Sequence, residues 1–409
     1  MGIMSVEVPD SEELLRLQSL VTYDAPNGQG RGGVRHLSCV LPALSAAIGH
    51  PVPTAMHADP ERLRETLGLP TASSAIVVMV DGLGFWNLAM RRGHAPYLRS
   101  LIDESVNMHP ISTCYPSTTV AAMSTFGTGT CPGLTGMTGY TQLNTETGQM
   151  SQLIQFKEAI APERLQTQPT VFERLRDQGV RVTSSGLPKF AASPLTRAAF
   201  RGADYVSNVL PNDRVMAACD AARTPGLTYL YIRDADKTGH NYGWNSDKWI
   251  GAFERIDAQL AAVRRNAPKG TLIVVTADHG MIATDPDRRI DIAAEPRLAQ
   301  GVAAVGGEPR AVMLYAQPGE DPEDIVERWR DRLGDHALVR TRRQAIDEGA
   351  YGQVEPRVEP MIGDVLVSAA GRTTIVDSRI QSDKATRLPS VHGSQTMVEM
   401  DVPLLIDMA

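Results

Sequence analysis

Six acidic and histidine side chains in the sequence have the types and spacing of metal ligands. Asp236 and His240 lie four residues apart, and Asp278 and His279 are adjacent. Mixed carboxylate and imidazole ligation favours zinc, and manganese or iron less selectively. Six such groups exceed the needs of one tetrahedral zinc ion, so we expect two ions. The full candidate set is Asp81, Asp236, His240, Asp278, His279 and His392.

Each of these residues also has an ordinary structural interpretation. Asp278 and His279 could be a helix cap and a surface histidine. Asp236 and His240 could form an ion pair in a loop, and a lone histidine such as His392 is more often structural than catalytic. The metal hypothesis therefore depends on the elements that would bring the six side chains together.

A hydroxyl cluster supplies a candidate nucleophile. Ser117, Thr118 and Thr119 are consecutive and precede an apolar stretch, which is typical of a helix start. A helix N-terminus favours a phosphate group because its first N–H groups are free and its dipole end is positive. A metal ion at such a hydroxyl would lower its pKa and make it a nucleophile.

Short apolar runs are predicted to be the strands that position the acidic groups. The runs at 76–80, 228–232 and 272–276 end at or shortly before Asp81, Asp236 and Asp278. Continuous β-branched runs are typical of parallel strands covered on both faces, and 311–315 and 365–368 are later candidates. Ligands bind beyond the carboxyl ends of such strands, although Asp also follows strands simply because it favours turns.

Helical periodicity between these runs completes the prediction of the fold class. Apolar residues over 249–263 recur at intervals of three and four, which indicates one amphipathic helix, with Ser246 or Asn245 as its cap. Strands that alternate with helices predict an α/β sandwich. A glycine-rich stretch at 28–33 lacks the spacing of a phosphate-binding fingerprint and is predicted to be a loop.

Composition excludes several other classes of protein. The 409 residues carry a net charge of −7, and there is no run of five basic residues, which argues against a nucleic-acid polymer as partner. The start of the chain lacks a signal-peptide pattern, and no apolar run is long enough for a membrane span. We therefore expect a cytoplasmic protein with no membrane partner. Its four cysteines form no C-x-x-C pair.

The order of the motifs resembles the nucleotide pyrophosphatase/phosphodiesterase family of the alkaline phosphatase superfamily. Each motif is weak alone, whereas all of them in this order are specific. The resemblance implies an alkaline-phosphatase-like three-layer α/β sandwich with a central, mostly parallel sheet. It would form a single catalytic domain over 1–409, with a small cap region inserted at about 141–220 and a second insertion near 335–362. The motifs are V-D-G at 80–82, Y-P-S-T-T at 115–119, T-G at 128–129, D-x-x-G-H at 236–240, D-H-G-M at 278–281 and H-G at 392–393.

The resemblance also implies two metal sites. The ions are expected to be zinc, with manganese as the alternative. Three carboxylates and one alkoxide would offset two dications, and such a nearly neutral site suits a singly charged phosphodiester. The implied ligands are Asp236, His240 and His392 for one ion, and Asp81, Thr119, Asp278 and His279 for the other.

The register of the family's nucleophile segment places the nucleophile at Thr119. Thr128 follows nine residues later, as the family requires, and Thr118 is the alternative if the register shifts by one. Cys114 stands where a sulfatase signature would begin, but Thr118 replaces the Arg of that signature, so we interpret Cys114 as a packing residue. Tyr140 occupies the position of a family Asn that donates to a phosphate oxygen, and it would either bind substrate or line the pocket.

The implied activity is hydrolysis of a small-molecule phosphate ester. We expect a phosphodiesterase or nucleotide pyrophosphatase that works through a covalent phosphothreonine at Thr119. A phosphomonoesterase or phosphonate hydrolase would use the same metal centre. A phosphate-moving isomerase and an inactive binding protein are weaker alternatives, and the sequence does not specify the oligomeric state or the substrate.

Overall fold

Ten strands of four or more residues form two sheets in the computed structural model, which describes residues 6–19, 22–23, 32–33 and 35–409. In chain order they are β1 (Ser74–Val80), β2 (Arg181–Gly186), β3 (Asp204–Ser207), β4 (Gly226–Ile232), β5 (Leu272–Thr276), β6 (Val302–Glu308), β7 (Ala311–Ala316), β8 (Ala337–Thr341), β9 (Val365–Ala369) and β10 (Leu404–Met408).

Helices of six or more residues connect and cover these strands. Within the described ranges they are α1 (Val40–Ala47), α2 (Pro60–Leu67), α3 (Phe85–Arg91), α4 (Pro96–Ile102), α5 (Thr119–Thr128), α6 (Val171–Asp177), α7 (Pro194–Ala199), α8 (Pro211–Ala221), α9 (Asp234–Tyr242), α10 (Asp247–Asn266), α11 (Pro322–Leu333) and α12 (Arg342–Asp347).

The central sheet has six strands in the order β10-β5-β1-β4-β2-β3. All neighbouring strands are parallel except β10, which runs antiparallel to β5 at one edge. Every residue of β1 and β5 is buried. Successive side chains point to opposite faces of a sheet, so both faces are covered. The predicted α/β fold with a mostly parallel central sheet is confirmed.

Two helices show how local sequence sets the elements near the sheet. α10 carries the predicted apolar stripe, and Ser246 Oγ accepts a hydrogen bond from the Trp249 N–H at 3.2 Å, which confirms the predicted cap. α5 is almost wholly buried and ends at Gly129, whose φ of 63° provides the left-handed conformation that stops a helix.

The second sheet corrects the prediction for 311–315 and 365–368. These segments lie in β7 and β9, which pair with each other in antiparallel orientation within a four-stranded sheet of order β6-β7-β9-β8. Val312 and Leu314 pack into one hydrophobic cluster, while Met313 and Tyr315 pack into another on the opposite face. A continuous apolar run reports burial on both faces, and it carries no information about the direction of the neighbouring strand.

Parts of the two segments that were expected to be insertions belong to the sheets, and their role as insertions near the site stays a prediction. β2 and β3 belong to the central sheet, although both fall inside the segment 141–220. Their sequences, RVTSSG and DYVS, are short and polar, so they lack the apolar signal of a buried strand. In the segment 335–362, residues 337–341 form β8 of the second sheet.

Two further predictions concern the glycine-rich stretch and membrane-spanning segments. Of the glycine-rich stretch, 28–31 lie outside the described residues, and Gly32–Gly33 pairs with Thr22–Tyr23 in parallel. Within the part of the chain that is described, no helix has both the length and the apolar character needed to cross a membrane.

Candidate metal centre and nucleophile

The structure brings all six candidate ligands to one edge of the central sheet. Asp81 directly follows β1, Asp278 follows β5, and Asp236 lies in the first turn of α9 after β4. The ligand atoms of Asp236, His240 and His392 lie within 4.8 Å of one another, as do those of Asp81, Asp236 and His279. Asp278 joins the second group, because its Oδ2 is 3.5 Å from His279 Nε2.

A glycine turn allows this close approach. Gly82 has a φ of 74°, and its N–H donates to Asp278 Oδ1 at 3.0 Å. A Cβ atom at this position would lie 2.8 Å from the backbone of Asp236. The V-D-G motif therefore needs glycine for both its left-handed conformation and the contact between two ligand-bearing turns.

The three histidines are oriented by backbone carbonyls. His240 Nδ1 donates to Ser390 O at 2.8 Å, His279 Nδ1 to Gly280 O at 3.0 Å, and His392 Nδ1 to Ser117 O at 2.9 Å. Since a carbonyl only accepts, each Nδ1 carries the proton and each Nε2 presents a lone pair. This is how protein metal sites orient their imidazole ligands.

The electrostatics of the cluster favour a bound cation. Burial, followed by the charges of Asp278 and Asp236, raises the pKa of Asp81 well above its usual range. Burial, followed by the charges of His279 and His240, lowers the pKa of His392 well below its usual range. One carboxylate oxygen each of Asp81, Asp236 and Asp278 is buried without a hydrogen-bond partner. Buried, unpartnered carboxylate oxygens beside neutral imidazoles fit divalent metal ions.

Of the three hydroxyls, only that of Thr119 faces the cluster. Thr119 begins α5, and its Oγ1 lies 3.2 Å from His279 Nε2. Ser117 Oγ donates instead to Ser394 O at 2.7 Å, and Thr118 is a buried neighbour of Glu308. Cys114 is also fully buried, and burial raises the pKa of its thiol to about 12. The geometry therefore favours Thr119 over Thr118 as the candidate nucleophile.

Tyr140 lies beside the cluster but makes a protein contact in this structure. Its hydroxyl accepts a hydrogen bond from Gln152 Nε2 at 2.8 Å. Burial raises its pKa, and the charges of Glu308 and Asp236 add to that effect. Its substrate-binding role stays a prediction.

Two residues near the cluster escaped the sequence analysis. The Tyr231 hydroxyl donates to Asp81 Oδ2 from the end of β4. Glu308 ends β6, its Oε2 lies 3.7 Å from His392 Nδ1, and its Oε1 is buried without a partner. Burial raises the pKa of Glu308 to about 8, with a further contribution from Glu399. Tyr231 could have been found from strand alternation, whereas Glu308 belongs to no motif and comes from the second sheet.

A cavity of about 880 Å³ opens from the cluster. Asp81, Thr119, Asp236 and His240 line it, and every residue of the segment 188–196 lines it as well. A phosphate group fills only a small part of such a volume, so the cavity can hold the remainder of a larger ester.

The family match over residues 75–395 indicates that this α/β protein is a phosphoester hydrolase. More narrowly, the chain belongs to the family described as type I phosphodiesterase / nucleotide pyrophosphatase, whose model matches residues 75–395. The resemblance inferred from the motifs is thereby confirmed.

Comparison with known proteins places the fold in the same group. Murine ectonucleotide pyrophosphatase / phosphodiesterase 5 has a TM-score of 0.64 at 16% identity, covering 81% of this chain and 87% of its own. Phosphonoacetate hydrolase from Sinorhizobium meliloti 1021, in complex with phosphonoformate, has a TM-score of 0.61 at 20% identity, covering 82% and 90%. At these identities the likeness shows the fold alone.

A curated relative matches a shorter segment. A phosphopentomutase from Rhizobium etli is 32% identical over 120 residues, which is 28% of this chain and 28% of that protein. The match therefore spans little more than a quarter of that relative.

Proposed function

We propose that this protein is a metal-dependent phosphodiesterase or nucleotide pyrophosphatase with Thr119 as its nucleophile. The proposal is carried by the position of the Thr119 hydroxyl. It lies at the start of a buried helix, 3.2 Å from His279 Nε2, and lines the same cavity as Asp81 and Asp236. A nucleophile, a group of metal ligands and space for an ester thus meet at one point.

The residues divide into two proposed ligand sets. Two divalent ions, zinc or alternatively manganese, would supply positive charge that lowers the pKa of the Thr119 hydroxyl and stabilises the phosphoryl oxygens. The proposed sets are Asp236, His240 and His392 for one ion, and Asp81, Thr119, Asp278 and His279 for the other.

The chemistry at the chain's own atoms is a double displacement. Thr119 Oγ1 loses its proton to solvent and forms a bond to phosphorus as the bond to the ester oxygen of the leaving group breaks, and that oxygen leaves with the electron pair. A water molecule then attacks the phosphothreonine, and the threonine oxygen is displaced and regains a proton. The free N–H groups in the first turn of α5 stabilise the negative charge on the phosphoryl group during both steps.

A comparison of matched substrates tests the proposal. We would measure kcat/KM for methyl 4-nitrophenyl phosphate, a diester, against 4-nitrophenyl phosphate and a phosphonate, after removing metals with a chelator and restoring zinc or manganese. We expect the diester to be preferred and the activity to depend on added metal. Thr119→Ala should lower kcat by a factor of at least about 10³, as for lost nucleophiles in other hydrolases.

Two control variants give the result its meaning. Thr119→Ser keeps the hydroxyl and should retain measurable turnover, and Thr147→Ala alters an exposed threonine. A preference for the monoester or the phosphonate would reassign the substrate class. Turnover that equals the Thr119→Ala background with either metal would refute the hydrolase proposal.

A further inference from the structure

Three basic side chains, here called the basic rim, line the cavity together with the metal cluster. They are Lys189, Arg233 and Lys237. Lys189 lies in the short turn Pro188–Phe190 after β2. Arg233 is the N-cap of α9, and Lys237 lies in that helix four residues later. Two separate elements therefore direct positive charge at one cavity.

Two aromatic rings, those of Phe190 and Tyr231, lie between the basic rim and the candidate metal cluster. Lys189 Nζ lies 4.7 Å from the centroid of the Phe190 ring, and Arg233 Cζ lies 5.9 Å from the same centroid. Phe190 packs edge-on against Tyr231 at a centroid distance of 5.7 Å, and the Tyr231 hydroxyl donates to Asp81. The rings of Phe190 and Tyr231 thus lie between the basic rim and Asp81, a proposed metal ligand.

The basic rim has no acidic partner within the described residues. Many arginines in the described part of the chain form an ion pair with a carboxylate, as Arg197 does with Glu163 at 2.8 Å. In contrast, none of the three rim cations lies within 4.0 Å of a carboxylate oxygen in the described part of the chain. Burial lowers the pKa of Lys189, and the charges of Arg233 and Lys237 lower it further. Like charges held together in this way repel one another until an anion neutralises them.

We propose that the leaving group of the substrate carries an acidic group of its own, a carboxylate or a phosphate, which binds the basic rim. This inference rests on the proposed function, because it assumes that the scissile phosphorus lies at Thr119. The body of the leaving group would then lie against Phe190, and the acidic group would contact Lys189, Arg233 and Lys237. A neutral leaving group would leave the three cations without a partner.

Substrates that differ only in this charge test the inference. We would compare methyl phosphodiesters whose leaving group is 4-carboxyphenol, its neutral carboxamide analogue, or 4-phosphonophenol, using the metal-loaded protein. We expect kcat/KM to be roughly tenfold higher for the anionic leaving groups, because partly exposed charge contacts are individually weak. A larger preference for the phosphonate would indicate a phosphate as the natural group, and a larger preference for the carboxylate would indicate a carboxylic acid.

The triple variant Lys189→Gln/Arg233→Gln/Lys237→Gln isolates the basic rim. In this variant the ratio of kcat/KM between anionic and neutral substrates should fall to near one, whereas Lys269→Gln, at an exposed position elsewhere, should keep the wild-type ratio. The wild-type ratio should also decrease as salt is added. A ratio near one in the wild-type protein, or an unchanged ratio in the triple variant, would overturn the inference.

A binding measurement separates this inference from the proposed function. Calorimetric titration with 4-hydroxybenzoate and with 4-hydroxybenzamide requires no turnover. Weaker binding of the benzoate by the triple variant than by the wild type, with no such difference for the benzamide, would support the basic rim even if no ester were hydrolysed. Equal affinity of the wild type for both compounds would overturn it, while turnover lost only in Thr119→Ala would leave the proposed function standing.

Discussion

At the scale of single residues, buried histidines serve opposite purposes in this protein. The cluster histidines direct Nε2 into a site with an accessible cavity. His36, in contrast, is completely buried, and its Nδ1 accepts a hydrogen bond from the Ser38 N–H at 3.1 Å. Burial lowers the pKa of His36 to about 3, and the nearby His57 contributes to this decrease.

The low pKa of His36 predicts a loss of stability in acid. Between pH 3 and about 6.5 the unfolded chain binds a proton at this position and the folded chain does not, so stability is complete above 6.5 and falls as the pH decreases. His36→Asn, which retains an acceptor for Ser38, should reduce the slope of unfolding free energy against pH by up to about 1.4 kcal/mol per unit. Urea denaturation at pH 7.5, 6 and 5 would measure it, with His109→Asn as an exposed control. Identical slopes for wild type and His36→Asn would contradict this account.

The residue types of the candidate metal cluster could be predicted because their chemistry is local. Acidic and histidine residues that follow apolar runs pointed to Asp81, Asp236, His240, Asp278 and His279, the order of the family motifs added His392, and the structure brings all six together. Their proton positions could not be predicted, because these depend on carbonyls far away in the chain. Glu308 and the basic rim were missed for the same reason, since their importance comes from what they face and not from their neighbours in sequence.

At the scale of elements, the packing of α5 fixes the position of Thr119. Gly127 lies in this helix opposite α7, and a Cβ atom there would overlap the carbonyl oxygen of Ala199. Gly251 lies in α10, where a Cβ atom would meet only the end of the Arg255 side chain at 3.5 Å. Packing therefore requires glycine at position 127 of α5, whereas it does not require glycine at position 251 of α10.

The two glycines predict opposite effects of one substitution. Gly251→Ala should stabilise the protein by up to about 1 kcal/mol, because alanine is the better helix former. Gly127→Ala should destabilise it by about 1–3 kcal/mol through overpacking, and it should lower kcat because Thr119 begins the helix that must shift. Urea denaturation and diester turnover would measure both variants. Equal effects of the two substitutions on stability would show that the contact with α7 is unimportant.

Strand pairing marks the limit of prediction at this scale. The apolar runs identified β1, β4 and β5 correctly, because parallel strands covered on both faces are continuously apolar. β7 and β9 show the same pattern for a different reason, since separate hydrophobic clusters cover the two faces of the second sheet. β2 and β3 are polar enough to resemble an insertion, and only their hydrogen bonds to the sheet show where they belong.

At the scale of the whole molecule, a buried ion pair connects the second sheet to the segment that carries His392. Arg310, in the turn between β6 and β7, donates to Glu399 from Nε at 3.0 Å and from Nη2 at 2.7 Å. Glu399 also accepts from the Ser394 N–H and the Thr396 hydroxyl. Both charged side chains are fully inaccessible to solvent. The same turn places Glu308 beside His392.

Breaking this pair should be costly. Arg310→Met would leave Glu399 buried without its counter-charge, and we expect a loss of about 3–5 kcal/mol in unfolding free energy. Arg297→Ala removes a pair with Asp331 whose side chains are 61% and 64% exposed, and should cost at most about 1 kcal/mol. Urea denaturation of both variants would make the comparison.

A second variant separates charge from packing. Arg310→Met combined with Glu399→Gln should recover part of the stability lost in Arg310→Met, because no buried charge is left without a partner. Additive losses in the double variant would show that the two side chains act independently.

The cavity wall at 188–196 lies on the connection between β2 and β3, the two strands at one edge of the central sheet. The proposed metal ligands, in contrast, follow β1, β4 and β5 or lie near β10 in the chain. The part of this connection before α7, at 188–193, can therefore change in length or charge while α7 keeps its contact with α5 and the proposed ligands stay in place. Exchanging residues 188–193 between relatives would change one wall of the cavity and leave the ligand-bearing turns as they are.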